Sequence, residues 1–285
     1  MSAASLEAPR PLRKPGDTDA VTFSWADASA GLYGLARVAT GLGADGAELP
    51  SGLAVVFSGR QPVGAVAVAG ADAANAVSAS VEEPLRRWTV RGAGELAFEL
   101  EFTATTPSAE LGGRDKVAKA GGLQGYEQVC RVSGTVRVEG RSRSVDGLGQ
   151  RGHAWGNPDW DKIALTRTVG AWFDDGSGVV LGTVRPDGVS AHADEAIWAA
   201  ALDGERVRIV EDPRLSTTTD EAGRQIRAGL ELWVDKDDDY PTRGVGEVVT
   251  GSTLELGALR LDVAFFVWHI EGRTAVGRYD VIRRA

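Results

Sequence analysis

Cysteine, histidine, clustered basic charge and long apolar runs are all scarce in this chain, and each scarcity excludes a class of function. The single cysteine, Cys130, allows no intrachain disulfide and no cysteine-based zinc site. The three histidines, His153, His192 and His269, with Asp194 or Glu195 to complete a set, are the only basis for a metal centre. Their spacing has no paired H-x-H or H-x-x-E arrangement, so neither a metal nor an organic cofactor is expected. The formal net charge is −9 with dispersed arginines, which disfavours nucleic acid and anionic membrane surfaces as partners. The start, Met1 to Gly16, is rich in Pro, Ala and Arg without an apolar run. It reads as neither a secretory signal nor a membrane anchor, so no stable membrane insertion is expected and the cytoplasm is the default compartment.

What is present is glycine, 37 of 285 residues, in a chain that is 43% hydrophobic and long enough for one large all-β unit or two domains. With one methionine and few long helical periodicities, that composition leans toward strands and tight turns. Leu96, Phe98, Leu100 and Phe102 alternate with Ala97, Glu99, Glu101 and Thr103, the period of a half-buried antiparallel strand. Val21, Phe23 and Trp25 repeat it, as do Ile226, Ala228, Leu230 and Leu232. Turn pairs fall between such runs, among them Asp45-Gly46, Glu139-Gly140, Asp175-Gly176, Asp203-Gly204 and Glu271-Gly272. The pattern predicts an all-β fold of two antiparallel barrel-like halves with little helix. Residues 1–18 form a flexible arm on this reading, 19–146 the first half and 147–285 the second. Pro107 to Gly122 reads as a mobile loop, and the acidic run Asp235 to Asp239 as a solvated turn lacking the ligand spacing of an EF-hand. No repeat is legible at the residue level, although strand density is similar in the two halves.

The stretch Gly147-Leu148-Gly149-Gln150-Arg151-Gly152-His153-Ala154-Trp155-Gly156 concentrates chemistry. Arg151 offers a fork of donors, His153 can exchange a proton near neutral pH, and Trp155 presents a π face. These suit the wall of a pocket. The alternative is that Arg151 pairs with a carboxylate such as Asp146 or Asp159 while Trp155 and His153 plug the end of a barrel. Residues 147–152 also spell G-x-G-x-x-G, but no βαβ unit surrounds them, so a dinucleotide site is not indicated. No G-x-S-x-G elbow exists for a serine nucleophile. A general acid calls for a carboxyl whose pKa is raised beside an apolar cavity, and Glu127 and Asp146 are the candidates, each equally able to be the partner of Arg151. Trp268 and His269 form a second Trp/His pair, with alternation allowing only one of them to line a given cavity.

Tyr126-Glu127-Gln128, Gly134 with the strand Thr135 to Glu139, and the run Gly149 to Gly156 followed by Trp160 resemble the lipocalin-like proteins related to carotenoid 1,2-hydratase (hydroxyneurosporene synthase) and the AttH-type proteins. The family motif reads like G-x-R-D-H-S-W-G or D-H-N-W-G. Arg151, His153, Trp155 and Gly156 match it, whereas its Asp falls on Gly152 and its Ser or Asn on Ala154. The resemblance implies a fold of two packed lipocalin-like barrel halves and a hydrophobic, isoprenoid- or polyketide-like ligand. In the hydratases it implies protonation of an alkene by a carboxyl group and capture of the carbocation by water.

The function expected is therefore acid/base catalysis, as a cofactor-independent hydratase, isomerase or cyclase, on a hydrophobic small molecule. His153 would move the proton, Glu127 or Asp146 would be the auxiliary acid, and Arg151 the orienter. Tyr126, Trp155, Trp268 and His269 would join Arg151 as ligand contacts. The rival is a carrier of a hydrophobic ligand with no turnover, which the loss of the acid at Gly152 favours. A third reading has the motif only locking the two halves together.

Overall fold

Alternating apolar positions dominate the chain, and in a computed structural model describing residues 3–189, 194–235 and 239–285 they form two antiparallel sheets. The first holds β1 (Thr18–Asp27), β2 (Leu32–Leu42), β3 (Glu48–Ser58), β4 (Gln61–Ala69), β5 (Val77–Glu83), β6 (Arg87–Gly92), β7 (Phe98–Ala104), β8 (Ala109–Leu111), β9 (Leu123–Val138) and β10 (Arg141–Gly156). The second holds β11 (Ile163–Trp172), β12 (Gly178–Pro186), β13 (Ala196–Asp203), β14 (Arg206–Ile209), β15 (Asp212–Thr219), β16 (Gln225–Trp233), β17 (Thr242–Leu256), β18 (Leu259–Ile270) and β19 (Arg273–Arg284). Short helices α1 (Ala3–Glu7), α2 (Ala73–Ala76) and α3 (Lys116–Gly121) complete the described residues.

The strand orders are β4-β3-β2-β1-β10-β9-β7-β6-β5 and β14-β13-β12-β11-β19-β18-β17-β16-β15, with β8 paired to β9 as an addition. Strand for strand these are one topology used twice. In each sheet the last long strand closes against the first, β10 on β1 and β19 on β11. That duplication is a property of connectivity rather than residue identity, which is why the sequence shows similar strand density and no legible repeat. The sheets divide between Gly156 and Ile163, and the expected division after Asp146 falls inside β10. Two reversals, Glu139-Gly140 and Glu271-Gly272, put both central residues at positive φ, the type I′ geometry that matches strand twist.

Four apolar cores result, the smallest joining Ala109 and Val117 to Ile163, Val180, Val184 and Trp198. One fills the first half, where Phe23, Trp25, Trp88, Phe98, Leu100 and Phe102 converge, with the Phe23 and Phe102 rings 5.0 Å apart. A second fills the other half around Phe266, Trp268, Leu230 and Tyr279. The third lies between the sheets, with Tyr33, Leu35, Val55, Phe57 and Leu148 meeting Trp172, Val263 and Phe265. Burying apolar area at roughly 25 cal/mol per Å² makes this third core the adhesive between the halves.

Two segments depart from expectation. Pro107 to Gly122 carries β8 and α3, whose buried Val117 and Ala118 pack toward the second half, so it is ordered by apolar burial. The N-terminal arm is docked rather than loose from Ala3 onward, because Leu6 is buried and Glu7 and Arg10 meet the motif strand. Lys236 to Asp238 of the acidic run lie outside the described residues.

Candidate functional site

The motif strand β10 pairs with β9 on one side and β1 on the other, with His153 opposite Tyr126 and Val21, and Gly152 opposite Glu127 and Thr22. Side chains alternate across a strand, so this register sends the candidates to two faces. Tyr126, Arg151, His153 and Trp155 share the face of Phe23 and Trp25, inside the first half. Glu127, Gln150, Gly152 and Ala154 share the opposite face, which looks toward the second sheet.

On the inner face the N-terminal arm satisfies the cluster. Arg151, 1% exposed, donates to Glu7 Oε2 at 2.6 Å and to the Tyr126 hydroxyl. Its guanidinium lies 4.8 Å from both the Trp88 and Tyr126 ring centroids. Glu7 Oε1 also accepts from Trp88 Nε1 at 3.1 Å and from the Leu85 amide at 2.9 Å. The carboxylate that neutralises Arg151 is therefore Glu7, and not Asp146, Asp159 or Glu127, because those three lie on other faces or loops. Burial, partly opposed by Arg151, pushes the Tyr126 hydroxyl up to about 12. His153 donates from Nδ1 to the Leu6 carbonyl at 3.2 Å, since a carbonyl only accepts, and its Nε2 meets Asp19 Oδ1 at 2.6 Å. Both ring nitrogens are thus engaged in a residue 2% exposed. Trp155 carries the Arg10 guanidinium 4.0 Å from its ring centroid and lies 5.0 Å from the His153 ring. Beside it opens a cavity of about 380 Å³ edged by Arg10, Leu12, Lys14, Asp17 and Asn157.

The opposite face carries a different chemistry. Glu127 is half-buried, and Gln150 Nε2 donates to its Oε2 at 2.8 Å while Gln150 Oε1 accepts from Trp172 Nε1 at 3.0 Å. Desolvation raises the Glu127 carboxyl above the usual range, against the opposing pull of Arg278. Arg278 spans the junction, donating to Ser24 Oγ at 3.1 Å and pairing with Asp280 at 2.9 Å. Burial pushes Asp280 up to about 6 despite that pairing. Two desolvated carboxyls and one guanidinium therefore share the seam between the sheets. Thr22, Arg37, Ala154, Thr168 and Gly182 all sit within strands at this seam yet stay half-buried, and a Cβ built on Gly182 would touch nothing within 4 Å. The seam is only partly closed there, with room beside Gly182.

Gly152 has a specific place in it. A Cβ built on Gly152 would lie 2.5 Å from Glu127 Oε2 and 2.6 Å from Oε1. The carboxyl of β9 thus occupies the space into which a side chain on β10 would project.

The remaining candidates lie elsewhere. Asp146 shares the strand face of Gln150 and Gly152 but is exposed, six residues from Gly152 toward the other end of β10, too far along the strand to act beside Glu127. Trp268 is fully buried against Phe266, ring centroids 5.5 Å apart, within the second half. His269 points outward, exposed, with Thr274 Oγ1 3.3 Å from its Nδ1. Alternation separates that pair as expected, but neither side chain reaches the motif strand. Of the metal alternative, His153 and His269 sit in different halves and His192 lies outside the described residues. Among the described residues no group of three or more His, Cys, Asp or Glu could hold an ion, and no helix is long and apolar enough to cross a membrane.

Sequence reasoning missed Glu7, Asp19, Arg37, Arg278 and Asp280. Arg278 and Asp280 carried a signal, two charges two apart on one face of an otherwise apolar strand. Glu7 carried none, because it reaches Arg151 across 144 residues.

A family model described as Domain of unknown function (DUF7064) matches residues 6–284, and the chain belongs to that family. No curated protein matches the chain. Among solved structures it is similar to an AttH-assigned protein of Nitrosomonas europaea, with 15% identity, a TM-score of 0.68, and coverage of 94% of this chain and 92% of the other. It is similar to kievitone hydratase of Nectria haematococca, with 10% identity, TM-score 0.60, and coverage of 95% and 91%. It is also similar to CghA in a structure with Sch210972, with 11% identity, TM-score 0.60, and coverage of 94% and 89%. These likenesses are of fold, and they bear out the all-β architecture of two antiparallel barrel-like halves expected from the sequence.

Proposed function

We propose that this member of the DUF7064 family is an acid/base enzyme, a hydratase or isomerase, acting on a hydrophobic isoprenoid- or polyketide-like molecule held between its two sheets, with Glu127 as the proton donor. The observation that carries the reading is the overlap of the Glu127 carboxyl with the space above Gly152. The motif acid of the resembling hydratases falls at that position, so on this reading a carboxyl from the neighbouring strand stands where that acid would be. Its raised pKa favours the protonated form that a donor to an alkene requires.

In the forward step the alkene π pair takes the proton from Glu127, leaving a carboxylate and a carbocation. Water adds to the cation and loses a proton to the carboxylate, completing hydration, or a neighbouring C–H proton returns to it, completing isomerisation. Gln150 holds the carboxyl through its amide, and Trp172 in turn holds Gln150. His153 takes no part, with both nitrogens engaged on the other face; Arg151, Tyr126 and Trp155 hold the arm. A protein named kievitone hydratase carries this fold, which makes hydration the first reaction to test.

The test is incubation with isoprenoid polyenes and polyketide-type enones in D2O, read by mass spectrometry. Carbon-bound deuterium or added water is expected with the wild type and is lost, by roughly 10² or more, in Glu127→Gln. Binding without exchange across the panel, or exchange untouched in Glu127→Gln, leaves the carrier reading.

A further inference from the structure

Most arginines buried in this protein have an acceptor of their own. Arg151 pairs with Glu7, Arg167 with Glu195 at 2.6 Å, and Arg278 with Asp280. Arg37 is the exception. It lies in the middle of β2, half-buried, with no hydrogen bond or ion pair to any described residue. Its face is fixed by register: Leu53, Arg37, Thr22, Gly152 and Glu127 stand side by side across β3, β2, β1, β10 and β9, all looking into the seam.

We infer that Arg37 is the anion anchor of the inter-sheet seam, and that the hydrophobic ligand taken there carries a carboxylate. The inference rests on the seam being the ligand site. A half-buried guanidinium without a counter-charge is poorly compensated, and desolvation lowers the Arg37 pKa accordingly. The chain supplies no described carboxylate to Arg37, which leaves its donors free to take one from a ligand. Arginine rather than lysine at this place favours a planar oxyanion that its fork of donors can grip bidentately. The residues between the anchor and Glu127 are small, Thr22 and Gly152, which leaves a trough instead of a wall. Two inter-strand steps of about 4.8 Å separate the Arg37 and Gly152 backbones, so the anion and the atom facing Glu127 lie roughly 10 Å apart. The substrate class is therefore an elongated unsaturated acid, with its carboxylate at β2 and its double bond over β10.

The probe is cis-parinaric acid, a fluorescent polyene acid, compared with its methyl ester, and binding is read by energy transfer from tryptophan. The wild type is expected to bind the acid at least tenfold more tightly than the ester, and benzoate should compete with the acid. Arg37→Gln should weaken the acid to the level of the ester while leaving the ester unchanged, with Arg37→Lys in between and all variants checked for native circular dichroism. Arg10→Gln, which alters the cavity beside Trp155, should leave the preference intact. The inference is overturned if acid and ester bind equally, if neither binds, if Arg37→Gln keeps the preference, or if Arg10→Gln abolishes it. Should Arg37→Gln not fold, Arg37→Lys and the benzoate competition decide in the same way. Because the readout needs no turnover, a failed deuterium exchange leaves this inference standing, and a lost acid preference leaves the proton-donor reading to its own test.

Discussion

The carboxyl of Glu127 lies against the α-carbon side of Gly152, its directly paired neighbour, closely enough that a side chain at either position excludes the other from the same space. A carboxyl at this point of the seam can thus be supplied from either strand. The backbone of Gly152 is ordinary extended strand, absent from the positions with positive φ, so an aspartate is sterically admissible there once Glu127 is shortened.

That relationship predicts a transplant. Glu127→Ala should abolish deuterium exchange, and the double variant Glu127→Ala/Gly152→Asp should recover a substantial part of it, at least tenfold above the single variant. Gly152→Asp alone should disturb activity, since two carboxyls would compete for one space and repel. Exchange rates of the four proteins provide the check, and a double variant no better than Glu127→Ala would mean that the shared space has no catalytic meaning.

The Glu7–Arg151 pair predicts a stability effect at the N-terminus. Removing one member of a buried pair strands the other, at about 3–5 kcal/mol. Glu7→Ala should therefore lower the unfolding midpoint markedly and speed tryptic cleavage after Arg13, the one basic residue of the arm not followed by proline. Urea unfolding and timed proteolysis measure both. A variant as stable and as resistant as the wild type would show that the arm contributes nothing.

His153→Ala separates structure from catalysis. With Leu6 and Asp19 as its partners, the substitution should cost about 1–3 kcal/mol in stability through the unpaired groups it leaves. Turnover per folded molecule should stay within a few-fold of wild type. A loss of roughly 10² at unchanged stability would return the proton-transfer role to His153.

The buried carboxyls set a pH dependence with a definite sign. Burial raises Asp280 from 3.8 to about 6, so the folded state holds that proton more tightly than the unfolded chain. Stability is then full below about pH 4 and is lost as the pH rises through about 6, by at most roughly 3 kcal/mol. Glu127 is shifted in the same direction and adds to the trend. Thermal unfolding at a series of pH values should show the decline. Asp280→Asn should reduce it and Glu127→Gln/Asp280→Asn should flatten it; an unchanged slope in the double variant would assign the effect to other groups.

Much of the fold was legible in the residues because a strand records its own periodicity. Leu96 to Phe102 and Ala228 to Leu232 could bury one face only as strands, and Glu139-Gly140 and Glu271-Gly272 could only turn. The motif strand, the resemblance it carries, and Glu127 as a carboxyl worth weighing were visible for the same local reason. Alternation also implied that Trp268 and His269 must part company. What local pattern could not hold was which strand lies beside which, and hence which face each candidate shares. Antiparallel register placed Tyr126, Arg151 and His153 on one side of the sheet and Glu127 on the other, although Tyr126 and Glu127 are adjacent in the chain. Long-range closure brought Glu7 to Arg151 and Arg278 to Ser24, and left Arg37 without a counter-charge. Burial and pairing of charge depend on everything packed around a group, and that sum over distant segments exists only once the two sheets have met.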